Sequence, residues 1–221
     1  MKKNIKEYAA RLVLLFIGLT IAHLGVTLFL LSDLGADPFN VLIQGLHALV
    51  AKAGAVSVTH GMVHIAVSFL IIVILLIADK SYIRAGTVVC MTCGGPVIDF
   101  FTMVLSGLGI PDMHFAAKLL VLVAGCIILA FGMTIVIRSE AGTGPNDLVA
   151  VVISEKSGRR FGMVRVIVDA VFIVSGFCLG GIFGIGTVIC AVLVGPVADM
   201  FLPVSSGIVD RALRLLRISA K

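Results

Sequence analysis

The chain is a succession of long apolar runs divided by short polar or glycine-proline stretches. Six runs reach or approach the ~20 residues that carry a helix across a hydrocarbon layer: 12–32, 62–78, 85–108, 115–137, 163–180 and 182–202. Two shorter segments, 38–51 and 145–157, follow the first and fourth runs. Each offers roughly 20 Å of helix against a core of ~30 Å, which predicts re-entrant or interfacial helices. The expected fold is all-α, a polytopic membrane protein of about six transmembrane helices with two short helices besides.

The same punctuation occurs twice. Gly18 matches Gly125 and Pro38 matches Pro145 at a shift of 107 residues, and Gly61-Met62-Val63 matches Gly162-Met163-Val164 at a shift of 101. Gly86-Thr87-Val88, Cys90, Gly95-Pro96-Val97 and Asp99 then return as Gly186-Thr187-Val188, Cys190, Gly195-Pro196-Val197 and Asp199 at a shift of 100. This divides one membrane domain, 1–221, into a repeat over 11–108, a repeat over 115–204 and a basic amphipathic helix over 205–221. Three crossings per repeat put the second copy in upside down, the inverted arrangement of many secondary transporters.

Charge places the ends. Lys2, Lys3, Lys6 and Arg11, then Lys80 and Arg84, then Lys156, Arg159 and Arg160, then Arg211, Arg214 and Arg217 all fall on one face in the six-span reading, with Lys52 and Lys118 on the other. By the positive-inside rule both termini are cytoplasmic. If 38–51 and 145–157 also crossed, there would be eight spans and parallel repeats, and charge barely separates the two readings. Segment length favours six.

Composition agrees: 60% of residues are hydrophobic and 13% charged, with a mean hydropathy of +1.19, whereas a soluble domain has about 45–50% apolar and about 25% charged residues. No stretch remains for a soluble catalytic domain. The start, MKKNIKEYAARLV, is read as leading into an uncleaved first span, because the apolar run after it is too long for a signal-peptide core. A net charge of +5 is read as topology and not as nucleic-acid binding. The five cysteines lie within apolar runs as small hydrophobes. No phosphate-binding Gly-x-x-x-x-Gly-Lys motif is present.

Polar chemistry concentrates in three places. The loops 34–40 and 141–147 each set glycine ahead of proline at a helix start, where unpaired N–H groups favour anionic groups. Asp37, Pro38 and Asn40 in the first, and Gly142, Gly144, Asn146 and Asp147 in the second, are candidate contacts to a solute; the same residues suit simple capping. Arg165 and Asp169, four apart on one helical face, place a charged pair inside a span, a functional hypothesis by default in a membrane. Their repeat mates are His64 and Ser68. Gly95, Pro96, Gly195 and Pro196 interrupt the third span of each repeat and read as a hinge; Asp99 and Asp199 should lie near opposite surfaces. His60 with His64 and Cys90 with Cys93 have ligand-like or redox-like spacing, yet lack a third ligand and a strand respectively, so neither a metal nor a cofactor is expected. His23, in mid-span, suits a hydrogen bond to a neighbouring helix better than a proton relay.

The G-x-x-P loop after the first span of each half, the turn from Ser157-Gly158 to Gly162, and Gly184-Ile185-Gly186-Thr187-Val188 leading into Val194-Gly195-Pro196-Val197-Ala198-Asp199 resemble the YczE/YyaS/YitT family of bacterial membrane proteins. The resemblance covers nearly the whole chain. It departs where Cys190 and Ala191 stand in place of a family Asn, and no role is assigned there. It implies a bacterial inner-membrane protein of a permease-like kind, with no catalytic residue to carry over. The functional expectation is a secondary transporter for a small solute, in contact with lipid, compatible with a homodimer and not an enzyme. The competing class is a non-transporting membrane scaffold or regulatory component.

Overall fold

The computed structural model describes residues 5–54, 58, 60–78 and 80–216. Its helices are α1 (Ile5–Leu31), α2 (Pro38–Lys52), α3 (His60–Ala78), α4 (Ala85–Leu105), α5 (Phe115–Ser139), α6 (Pro145–Ser157), α7 (Phe161–Cys178) and α8 (Ile185–Leu215). No strand occurs among the described residues. α1, α5, α7, α8 and the stretch Ala85–Leu108 that contains α4 are long and apolar enough to cross a membrane. α3 is the sixth expected crossing, and its apolar part, Met62–Ile77, is shorter than the rest. The protein is thus an all-α polytopic membrane protein.

Burial is distributed as lipid demands. Ile65 and Phe69 on α3, Met103 on α4, Val174 on α7 and Met200 on α8 are exposed, while Thr27, Thr134, Ser205, Arg165 and Asp169 are buried. Hydrocarbon has no partner for a polar group, so polar groups turn toward other helices. Thr134 and Ser205 join their hydroxyls at 2.7 Å between α5 and α8.

The centre is the crossing of α1 and α5, where glycines let two backbones touch. A Cβ at Gly25 would lie 2.5 Å from the Gly125 carbonyl oxygen, and one at Gly18 would lie 2.9 Å from that of Gly132. The two helices run antiparallel: Arg11, near the start of α1, donates to the Ser139 carbonyl at the end of α5. α4 runs parallel to α1, with Gly86 beside Leu15 and Gly94 beside His23. α8 runs parallel to α5 in the same way, from Gly186 beside Leu122 to Phe201 against Phe131.

The loops before α2 and α6 dock on the opposite half. The Gly186 N–H donates to the Leu34 carbonyl and the Gly86 N–H to the Ala141 carbonyl, both at 2.9 Å. Gly35 and Gly142, with φ of 147° and 137°, make these close approaches in a backbone region open only to glycine. α2 lies against α7, and α6 against both α3 and α7.

Two expectations need correction. The helices are not broken at Gly95-Pro96 or Gly195-Pro196: α4 continues through Pro96, and α8 continues through both Pro196 and Pro203. Proline removes one N–H donor, and neighbouring helices in a membrane bundle tolerate the local loss. The segment 205–221 does not begin a separate surface helix either. Through Leu215 it is the continuation of α8, held by Val209 and Leu213, which are buried against Ile135 of α5; its end, 217–221, lies outside the described residues.

Candidate functional site

A cavity of 310 Å³ lies beside the α1–α5 crossing. Its wall uses one face of each surrounding helix: Leu19, Ala22, His23 and Val26 on α1; Met91, Gly94, Gly95 and Ile98 on α4; Leu129, Met133 and Val136 on α5. Spacings of three, four and seven residues put each set on a single helical stripe. The starts of both short helices face the same space, through Asp37, Pro38 and Asn40 and through Gly144, Pro145, Asn146 and Asp147. Loops far apart in sequence meet there because each docks on the other half.

The first start is closed by its own side chain. Asp37 Oδ1 accepts from the N–H groups of Phe39 and Asn40 at 3.1 and 3.2 Å, and Oδ2 accepts from Asn40 Nδ2. Pro38 takes the first helical position, where its missing N–H costs nothing. The second start has Gly144 as its cap, with no side-chain bond, and Asp147 in its first turn.

Arg165 joins the second start to α7. Its Nε donates to Asp169 Oδ2 at 2.9 Å, and its Nη1 donates to Asp147 and reaches Met133 Sδ at 3.7 Å. Arg165 and Asp169 are 8% and 1% exposed, a burial that a lone ion would not sustain and a pair with further bonds does. Asp169 stands behind Arg165, outside the cavity wall. Across the space, His64 and Ser68 of α3 line it, and the His64 ring meets Phe39 edge-on at 5.3 Å. His23 Nδ1 donates to the Leu19 carbonyl of its own helix at 2.7 Å, not to a neighbouring helix as expected. Its Nε2 points at Gly94, where a Cβ would sit 2.8 Å away.

The cavity has unequal walls. α7 and α8 pack backbone to backbone, so that a Cβ on Gly162 would overlap the Gly195 carbonyl oxygen. Asp199 accepts from the Gly162 N–H at 2.8 Å and pairs with Arg160 at 3.3 Å. α3 and α4 make no comparable contact among the described residues. A Cβ on Gly95 would meet nothing within 4 Å, and Asp99 is exposed.

Gly142 lies elsewhere. With Thr143 it lines a second cavity of 280 Å³, walled by Ser81, Tyr82, Arg84, Glu140 and Glu155, so the loop 141–144 separates the two spaces. Pro96, Gly195 and Pro196 are not in the wall of either cavity. The His60 side chain lies outside the described residues, and no group of three metal-ligating side chains occurs among those described. Sequence reading passed over Phe39, Ser68, Met133 and the repeat mates Cys90 and Cys190 as lining residues. The three- and four-residue spacing within each helix was the signal for such positions, and it does not say which stripe faces a cavity.

Comparison with known proteins agrees with the membrane fold. The chain is 25% identical over 209 residues to YczE, an uncharacterised membrane protein of Bacillus subtilis, covering 94% of this chain and 93% of the relative. It is 26% identical over 199 residues to YyaS of the same organism, covering 85% and 90%. It is 27% identical over 197 residues to an uncharacterised protein of Haemophilus influenzae, covering 89% and 84%. No solved structure matches. The model of a family of unknown function, DUF6198, matches residues 9–203, and the chain belongs to that family, of the YczE and YyaS type.

Proposed function

We propose that this protein is a secondary transporter that moves a small solute across the bacterial inner membrane through the cavity beside the α1–α5 crossing. The carrying observation is the unequal wall. α7–α8 is sealed by Gly162, Gly195 and Asp199, whereas Gly95 and Asp99, at the matching places on α4, have no such partner among the described residues. A two-fold repeat with one of its two seals made and the other open has the form of a carrier in one of two access states.

The inverted repeat itself is supported by the paired contacts. Gly18 with Gly132 and Gly25 with Gly125 are one contact seen twice, since both sets stand 107 residues apart. Because α4 is parallel to α1 and α5 antiparallel, α2 and α3 together make one net crossing. Six spans follow, with α2 and α6 re-entrant and both termini cytoplasmic. In that orientation the sealed side faces the cytoplasm. Closure of α4 on α3 would bring Asp99 to the start of α3, as Asp199 stands at the start of α7, with the helix bending near Gly95-Pro96.

The test is flux and access together. In a cysteine-free background, Ser68→Cys in right-side-out vesicles should react with a membrane-impermeant maleimide from outside. A disulfide engineered between α3 and α4 by the double substitution Gly61→Cys with Gly95→Cys should stop both that labelling and solute flux in liposomes. Labelling from the cytoplasmic side alone would overturn the assigned access state. A folded protein that carries no solute in any gradient would favour the scaffold reading.

A further inference from the structure

We infer that two ionic latches, Arg11 with Glu140 at one end of the α1–α5 crossing and Lys118 with Asp33 at the other, hold the two gates of the cavity and are made in turn. The inference rests on the transporter reading for its cycle and orientation, and on the repeat and its contacts for the residues. At a shift of 107, Arg11 matches Lys118, and Ser32-Asp33-Leu34-Gly35 matches Ser139-Glu140-Ala141-Gly142. A base and an acid thus recur together. The register of the crossing, with Gly18 on Gly132 and Gly25 on Gly125, brings Lys118 toward the end of α1 as it brings Arg11 to the end of α5.

The two acids stand on the same backbone turn. Among the described residues, Asp33 and Glu140 are the two non-glycine residues with positive φ, 53° in each. Just ahead of them the Ser32 hydroxyl donates to the Phe29 carbonyl at 2.6 Å, and the Ser139 hydroxyl to the Val136 carbonyl at 2.7 Å. What differs is the cation. Arg11, 8% exposed, donates through Nη1 to the Glu140 carboxylate and to the Ser139 carbonyl, both at 3.1 Å, and through Nε to Glu7 at 3.0 Å. Arg84 donates to the Glu140 carbonyl as well. At the other end Asp33 is exposed, and no ion pair joins it to Lys118 among the described residues.

The made latch holds the partition between the two cavities. Gly142 and Thr143 face the 280 Å³ cavity, with Arg84 and Glu140 in the same wall, and Gly144 and Pro145 face the 310 Å³ cavity. A few residues of backbone therefore part the two spaces. Moving 139–144 off Gly86 would join them into one passage to the cytoplasm, in the orientation proposed above. The latch is made at the end where α7 and α8 are sealed, and it is unmade at the end where α3 and α4 stand apart. Glu140 has 59% of its side chain exposed, and an ion pair so open to water costs little to break, as a contact remade in each cycle requires. The inner gate is also the better held of the two, since Gly184 stands where the repeat has Arg84, and His114 where it has Glu7. That inequality favours the state with the cytoplasmic side closed.

The experiment compares labelling of Ser68→Cys, in the full-length cysteine-free protein, by an impermeant maleimide in right-side-out and inside-out vesicles. Glu140→Lys sets a cation against Arg11 and Arg84, and should raise the ratio of cytoplasmic to external labelling at least about threefold. Asp33→Lys sets a cation against Lys118, and should move the ratio the opposite way. Glu140→Gln should act as Glu140→Lys does but by less, and serves where Glu140→Lys fails to fold. An unmoved ratio, even with a lowered unfolding temperature, would overturn the inference, and so would a shift in one direction for both acids. Liposome flux separates the two readings: opposite shifts in a protein that carries no solute leave the two gates and remove the carrier, whereas flux with an unmoved ratio leaves the carrier and removes the latches.

Discussion

Asp199 accepts a hydrogen bond from the backbone N–H of Gly162 at 2.8 Å, so the side chain that caps α7 comes from the middle of α8. The first turn of a helix has four N–H groups without intrahelical partners, and this one is satisfied by tertiary contact. Asp199→Ala should therefore cost about 1–2 kcal/mol, whereas Asp99→Ala, at the matching but exposed place, should stay within about 0.5 kcal/mol. Unfolding in detergent measures both. Equal losses would mean that the two walls of the cavity are alike in solution.

Gly142 is held at φ 137°, and a Cβ there would overlap the Thr87 backbone nitrogen. Backbone cannot swing aside as a side-chain end can, so Gly142→Ala should cost more than about 2 kcal/mol or prevent folding. Gly54, also at positive φ but with nothing within 4 Å, should lose only about 1 kcal/mol as Gly54→Ala. The comparison separates steric docking of the loop from conformational strain alone.

Much of this was legible from residue order. The helix starts at Pro38 and Pro145 follow from glycine and proline at fixed places, and the Arg165–Asp169 bond follows from their four-residue spacing. That Asp147 joins them could not be read, because it depends on the loop 141–144 docking on Gly86. That α4 and α8 run on through Pro96 and Pro196 could not be read for a related reason: proline marks one lost bond, and whether a helix ends there is decided by neighbours. His23 shows the same limit, since a polar residue in mid-span can turn to its own backbone as readily as to another helix.

Arg165 bridges Asp147 and Asp169, and removing it would strand two carboxylates in a buried place. Arg165→Met should cost about 3–5 kcal/mol. Pairing it with Asp169→Asn should recover part of that loss, a coupling of about 0.5 kcal/mol or more in a double-mutant cycle. Arg165→Lys should keep the fold better than Arg165→Met and still impair flux, because an ammonium lacks the planar fork that reaches both partners. If the double variant were as unstable as the sum of the singles, the two residues would not form one unit.

Thr87 and Thr187 occupy matching places with opposite fortunes. The Thr187 hydroxyl donates to the Ala36 carbonyl at 2.5 Å and accepts from the Gly184 N–H at 3.1 Å. The Thr87 hydroxyl is buried without a partner among the described residues, as is that of Thr143, the residue matching Ala36. A buried hydroxyl that makes no bond contributes nothing to offset its desolvation, whereas loss of a made bond leaves its partner exposed to the same penalty. Thr87→Val should then be neutral or stabilising by up to about 1 kcal/mol, and Thr187→Val should destabilise by about 1–3 kcal/mol. If the protein alternates between states in which these two contacts exchange, Thr87→Val should also slow flux while leaving the unfolding transition in place. Unchanged flux in a stabilised Thr87→Val would mean that the 141–144 loop does not take up the Thr187-type contact during the cycle.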